Sequence, residues 1–113
     1  MSGRPSNTRL VIPIEKLRDY ALSSEHRTGR HKARVFRSVL GLTADHAEWL
    51  RKHILTVAES HRSDFQVGVL DEHGQRFHLD IPVTTKKGTA VIKTAWIALA
   101  DESDVRLTSC YVL

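Results

Sequence analysis

The stretch Arg76-Phe77-His78-Leu79-Asp80-Ile81 decides the fold, because polar and apolar residues alternate along it. Side chains on a β-strand point to opposite faces in turn, so this alternation predicts a strand with one buried and one wet face. Related patterns predict four strands, at residues 64–71, 75–84, 89–100 and 104–112. Their connections of about four residues are too short for a parallel crossover, so we expect an antiparallel meander.

Before residue 61 the apolar residues recur at helical spacing, which predicts helices at residues 13–22, 31–40 and 44–61. Pro13 suits a first helical turn, Gly41 a helix end and Thr43 an N-cap. The sequence therefore predicts an α+β fold, with three N-terminal helices packed on one face of a four-stranded antiparallel meander sheet. We expect seven apolar residues to be almost fully buried: Phe36, Leu50, Ile54, Phe77, Leu79, Ile81 and Ile97.

The chain has the size and composition of one globular domain, with 113 residues, of which 41% are hydrophobic and 27% charged. We expect a flexible tail at residues 1–8, which are small and polar, and a single α+β domain at residues 9–113. The lone cysteine, Cys110, cannot form an internal disulfide. No stretch reaches the roughly 18–20 apolar residues that span a bilayer. The expectation is a cytoplasmic protein without a membrane partner.

Positive charge is concentrated at the start of the second predicted helix. The chain has 17 lysines and arginines against 13 acidic residues, a formal net charge of +4. Five of these cations fall between Arg27 and Arg37, with no acidic residue among them. Such a cluster attracts polyanions, of which nucleic acid is the commonest. The alternative interpretation is an ordinary solvated helix face.

Metal-independent RNA cleavage would need an acid, a base and cations that stabilise the charge developing on the phosphate. Lys32 is the candidate cation because it could lie between the second helix and the sheet edge; alternatively it is one more exposed helix lysine. His78, on the wet face of its strand, is the candidate acid or base, or else an exposed polar residue without a catalytic role. Trp96 either stacks on a base or belongs to the core. A nucleophilic Cys110 has no partner residue in the sequence to support it.

The sequence predicts no metal site and no cofactor. Its seven histidines form no H-E-x-x-H motif, and one cysteine cannot supply zinc-type spacing. His46 and His53 are seven residues apart and share a helix face with Trp49. This face is interpreted as an exposed patch or a contact with a partner protein.

The segment from Leu22 to Phe36, LSSEHRTGRHKARVF, resembles a signature of the type L-x-x-E-H-P-x-G-x-x-K-A-x-x-F. That signature marks a bacterial domain of unknown function, found alone and at the C-termini of phage head-morphogenesis proteins and polymorphic toxins. Two later segments, Thr94-Ala95-Trp96-Ile97 and Arg106-Leu107-Thr108-Ser109, resemble its strand motifs. The resemblance covers nearly the whole chain, with one departure at Arg27, where the family usually has proline. That departure loosens the loop without touching a reactive group.

Members of this family resemble ribonuclease toxins of the barnase, EndoU, colicin and RelE type, in which helices precede an antiparallel sheet that carries the active site. The resemblance implies a toxin-like RNA-binding domain, with RNA as a partner, a cognate immunity or antitoxin protein as another, and ribonuclease activity to be tested. The candidate catalytic residues are Lys32, His78, Thr94, Arg106 and Thr108. The candidate nucleic-acid-binding residues are Arg30, His31, Arg34 and Trp96. The alternatives are a non-catalytic basic nucleic-acid-binding module and a protein-interaction or immunity-type domain.

Overall fold

The structure is a computed structural model that describes residues 8–25, 27 and 30–113. In this part of the chain a two-residue strand, Leu10–Val11, comes first, and three helices follow it before the rest of the sheet. Helix α1 joins an α-helical turn at Ile14–Lys16 to a wider, π-helical segment at Leu17–Ala21. Helix α2 joins Arg30–Val35 to a second π-helical segment, Phe36–Leu40. Helix α3 joins a 3₁₀ turn at Ala44–His46 to Ala47–Ser60, and a further 3₁₀ turn, Arg62–Asp64, leads into the sheet. The three predicted helices are confirmed, whereas residues 1–7 of the predicted tail lie outside the described residues.

Hydrogen bonds define where α2 ends and where α3 begins. Gly41 ends α2 with a φ of 70°, in the left-handed region that glycine adopts most easily. The Gly41 N–H donates a hydrogen bond to the carbonyl of Arg37 at 3.0 Å. Thr43 starts α3, and its N–H donates to Nδ1 of His46 at 3.0 Å as part of a capping box. These bonds fix how α2 and α3 meet, and both helices contribute to the surfaces described below.

Five strands form one mixed sheet, in the order β1-β5-β4-β3-β2. Their bounds are Leu10–Val11 for β1, Gln66–Asp71 for β2, Gly74–Thr84 for β3, Thr89–Leu99 for β4 and Val105–Val112 for β5. Strands β2 to β5 form the predicted antiparallel meander. The prediction of a wholly antiparallel, four-stranded sheet is wrong, because β1 pairs in parallel with the start of β5. A strand of two residues has no periodic pattern, and its partner lies near the other end of the chain.

The helices cover one face of the sheet, and all seven predicted core residues are at most 5% exposed. Six of them belong to the core between helices and sheet. Ile97 instead faces the opposite, open side of the sheet, where Arg76 and Arg106 are its neighbours on β3 and β5. Among the described residues, no helix combines the length and the apolar character that a membrane span requires.

Candidate nucleic-acid interface

Three arginines form a stripe along α2. Arg30, Arg34 and Arg37 have helical spacing of four and three residues, so their side chains share one face of the helix. All three are exposed, and none has an ion-pair partner among the described residues. They line a groove of about 380 Å³, which we call the basic groove. Its polar lining also includes Ser23, Ser24, Glu25, Thr43 and Asp45.

The turn between β3 and β4 extends this positive surface. Lys86 and Lys87 are exposed in the turn, and Nζ of Lys87 donates a hydrogen bond to the carbonyl of Arg37 at 3.4 Å. The hydroxyl of Thr85 donates to the carbonyl of Leu40 at 2.7 Å. These two bonds attach the turn to the C-terminal end of α2, so the lysines lie next to the basic groove.

Several other cations of the protein are paired with carboxylates. Seven have a carboxylate within 4.0 Å: Arg9, Arg18, Arg51, Arg62, Arg76, Lys93 and Arg106. The five cations of the basic groove and the β3–β4 turn have no such partner in the described residues. Positive charge is therefore left available on this surface, and a polyanion would be attracted to it.

Lys32 lies on the other side of α2, at the edge of the sheet. Its Nζ is 5.0 Å from the ring centroid of Tyr111 on β5 and 5.8 Å from that of Tyr20 on α1. Both distances are within the range of cation–π attraction, so two aromatic rings hold the ammonium group. Lys32 is partly buried, unlike an ordinary exposed helix lysine, and it does not line the basic groove.

Cys110 lies on β5 close to Lys32 and is fully buried. Burial raises the pKa of its thiol to about 12, and the positive charge of Lys32 offsets this only in part. A nucleophilic thiol must ionise, so Cys110 is not a candidate nucleophile in this fold.

We expect Cys110 to resist alkylation in the folded protein. With a pKa of about 12, only about one thiol in 10,000 is ionised near pH 8, and burial also excludes the reagent. Iodoacetamide should therefore label Cys110 fully in denaturant and negligibly in native buffer, as measured by mass spectrometry. Rapid labelling of the native protein would contradict the buried position. Because its pKa is raised, the protonated Cys110 thiol also contributes to the free energy of unfolding. This contribution is fully present below about pH 9 and is lost as the pH rises toward 12.

The remaining candidate catalytic residues on the open side of the sheet are spread over two strands. His78 on β3 is partly exposed, and its Nε2 lies 3.3 Å from Oε1 of Gln66. Arg106 on β5 is paired with Glu102 at 3.3 Å. Thr108 occupies a bulge in β5, where its hydroxyl donates to the carbonyl of Ala95 at 3.1 Å. Each side chain already has a partner within the protein.

Thr94 and Trp96 lie in the core, which counts against their predicted roles. Thr94 is 0% exposed; its hydroxyl donates to the carbonyl of Leu79 at 2.7 Å and accepts the indole N–H of Trp96 at 2.8 Å. Trp96 is 1% exposed and packs edge-on against Phe65. Neither side chain can reach RNA without opening the core. Their hydrogen bonds instead satisfy polar groups that would be costly to bury alone.

The structure separates the predicted site residues into different places. Arg30 and Arg34 share the basic groove, but Lys32 is on the other side of α2, and His31 is exposed without lining the groove. Strand β4 separates His78 from β5, so the backbones on which His78 and Tyr111 lie are about 10 Å apart. Among the described residues, no hydrogen bond or ion pair joins the candidate acid or base, His78, to the candidate cation, Lys32.

The candidate nucleic-acid-binding residues did not include three cations of this surface. Arg37 was predicted only as a member of the wider cationic cluster, and Lys86 and Lys87 were not predicted at all. The spacing of Arg37 from Arg30 and Arg34 was a usable signal, because it continues one helix face. No local signal could bring in the two lysines, since only the packing of the β3–β4 turn against α2 places them there.

The face formed by His46, Trp49 and His53 lies on α3, as predicted. Trp49 is 45% exposed and stacks on His53, with ring centroids 5.5 Å apart and planes 5° from parallel. In the described residues, no group of three or more His, Cys, Asp or Glu side chains is arranged to hold a metal ion.

Comparison with protein families gives one match. The chain belongs to the DUF6883 family, a domain of unknown function, whose model matches residues 4–113. No curated protein and no solved structure matches the sequence. The family supplies no activity, so any function must be argued from the surfaces described above.

Proposed function

We propose that this domain binds RNA, with the sugar–phosphate backbone lying along the basic groove and the β3–β4 turn. The observation that carries the proposal is a cluster of five cations that have no carboxylate partner in the described part of the chain: Arg30, Arg34, Arg37, Lys86 and Lys87. Arginine suits this role because its planar guanidinium can donate two parallel hydrogen bonds to one phosphate. Lysine adds a compact charge at the adjoining turn.

The surface is also partly preorganised for a ligand. The β3–β4 turn is attached to α2 by the bonds from Thr85 and Lys87, so the two groups of cations keep a fixed spacing. A ligand that spans both therefore need not supply the free energy for bringing them together.

Binding is better supported than cleavage. A general acid or base must come within hydrogen-bonding reach of the proton that it transfers, and the cation must contact the same phosphate. His78 lies on β3 next to Gln66, whereas Lys32 lies on α2 and faces the rings of Tyr20 and Tyr111. The resemblance to ribonuclease toxins supports RNA as the polyanion. It does not by itself supply a catalytic centre, and an acidic immunity-type protein is the alternative ligand for the same surface.

The test is a titration of fluorescently labelled single-stranded RNA, followed by anisotropy at several salt concentrations. Binding should weaken as salt rises, because bound phosphates release condensed cations. If all five cations contact phosphates, the slope of log affinity against log salt should be about −3 to −4. A salt-independent affinity, or no binding at low salt, would overturn the proposal.

The same samples, incubated with a chelator and analysed on a denaturing gel, test for metal-independent cleavage. We expect intact RNA. Cleavage by the wild-type protein would reinstate the enzyme hypothesis, and loss of that cleavage in Lys32→Ala or His78→Ala would identify the groups responsible.

A further inference from the structure

A second groove lies next to the basic groove, with Trp49 in its lining. It has a volume of about 590 Å³, within the range of about 300–1,000 Å³ typical of small-ligand sites. Its lining includes Leu40 at the end of α2 and Leu42 in the α2–α3 connection, which are apolar, while Lys86 and Lys87 contribute charge. None of its described lining residues is acidic. We call it the Trp49 groove.

The indole of Trp49 is held in place although it is exposed. One of its faces stacks on the ring of His53, which is one helical turn further along α3. Nε2 of His53 lies 2.9 Å from the carbonyl of Pro82 on β3 and, being the only hydrogen-bearing partner, donates the bond. The sheet therefore fixes His53, and His53 supports Trp49. A large aromatic side chain held in this way loses little conformational entropy when a flat ligand stacks on it.

His46 adds a polar group to the same groove. Its Nδ1 accepts the N–H of Thr43 in the capping box, so in the neutral ring the proton is on Nε2. That N–H is available as a donor, because the capping bond uses only the other nitrogen. The groove thus combines an aromatic platform, a hydrogen-bond donor and two cations.

We propose that the Trp49 groove takes a nucleotide of single-stranded RNA, with its base stacked on Trp49 and its phosphate beside Lys86 and Lys87. This inference rests on the proposed function and narrows it to single strands, since a base inside a duplex is not free to stack on protein. Charge complementarity favours this occupant over an apolar or basic protein surface. The β3–β4 turn joins the two grooves, because Lys87 both lines the Trp49 groove and contacts Arg37 of the basic groove.

The two tryptophans of the chain make a direct test possible. Trp49 is 45% exposed whereas Trp96 is 1% exposed, so a ligand that stacks on the surface should quench only the emission of Trp49. Titration with single-stranded RNA should quench and saturate part of the tryptophan emission of the wild type. Trp49→Phe, which retains Trp96, should show no such quenching. A duplex RNA of the same sequence should bind through its phosphates without quenching.

Affinity provides the second readout. Trp49→Ala should weaken single-stranded RNA binding by about 5- to 150-fold, the usual effect of removing one stacking residue, and leave duplex binding and the salt slope unchanged. Trp49→Phe should cause a smaller loss, because it keeps an aromatic ring. Circular dichroism melts of both variants check that they fold.

The outcomes separate the two proposals. If the wild type binds RNA and the basic-groove variants lose binding while Trp49→Ala does not, the nucleotide site is overturned and the proposed function stands. Quenching that is equal for single-stranded and duplex RNA would also overturn the site. If the wild type binds no RNA, both proposals fail.

Discussion

Replacing Arg34 and Arg37 together by glutamine should lower the affinity for single-stranded RNA by roughly 100-fold, because each arginine loses charge-assisted hydrogen bonds to phosphate. Both side chains are exposed, so neither substitution leaves a buried group unpaired. The slope of log affinity against log salt should also become shallower, by about 0.7 for each phosphate contact that is lost. Anisotropy titrations of the wild type and the Arg34→Gln, Arg37→Gln double variant measure both quantities.

The chain offers a matched control in Arg9→Gln combined with Arg76→Gln. These two arginines are paired with Asp104 and Asp71, near the end of the sheet remote from the β3–β4 turn. Strand β3 runs from Gly74 to Thr84, so the two ends are roughly 33 Å apart. Both double variants remove two positive charges from a net charge of +4. If both double variants lost the same affinity, RNA binding would depend only on the net charge of the protein. That result would contradict a site at the basic groove.

The fold was largely predictable because its main elements produce strong local patterns. Alternation from Phe77 to Val83 needs only a sheet with one covered face, and the helical stripe through Leu50 and Ile54 needs only a core to face. Strand β1 was not predictable in this way. Its pairing with Val105 depends on where the chain ends meet in space, which local periodicity does not encode.

The candidate site was less predictable, because it depends on which side of an element each residue occupies. Arg30, Lys32 and Arg34 are close in sequence, but successive residues of a helix are about 100° apart, so Lys32 points away from the arginines. Trp96 lies in an apolar run whose two faces are alike, so the sequence does not show on which face of the sheet its side chain lies. Trp96 is buried because it lies on the face of the sheet that the helices cover.

Phe36→Ala should lower the free energy of unfolding by about 3–5 kcal/mol, the usual cost of removing a buried aromatic ring. Phe36 is 0% exposed, and α2 packs on β4 and β5 around it. The loss is a large part of the roughly 5–15 kcal/mol that stabilises a small domain, so the variant should be partly unfolded at low denaturant. Urea melts followed by circular dichroism measure the change.

Val39→Ala is the matched control, because it shortens an apolar side chain of the same helix that is already 37% exposed. It should change the free energy of unfolding by no more than about 0.5 kcal/mol. A loss below about 1 kcal/mol for Phe36→Ala would mean that α2 packs through a different face. The arginine stripe would then be rotated as well, because Phe36 and Arg37 are adjacent on α2 and cannot change direction independently. The stability measurement therefore also tests the orientation on which the proposed RNA surface depends.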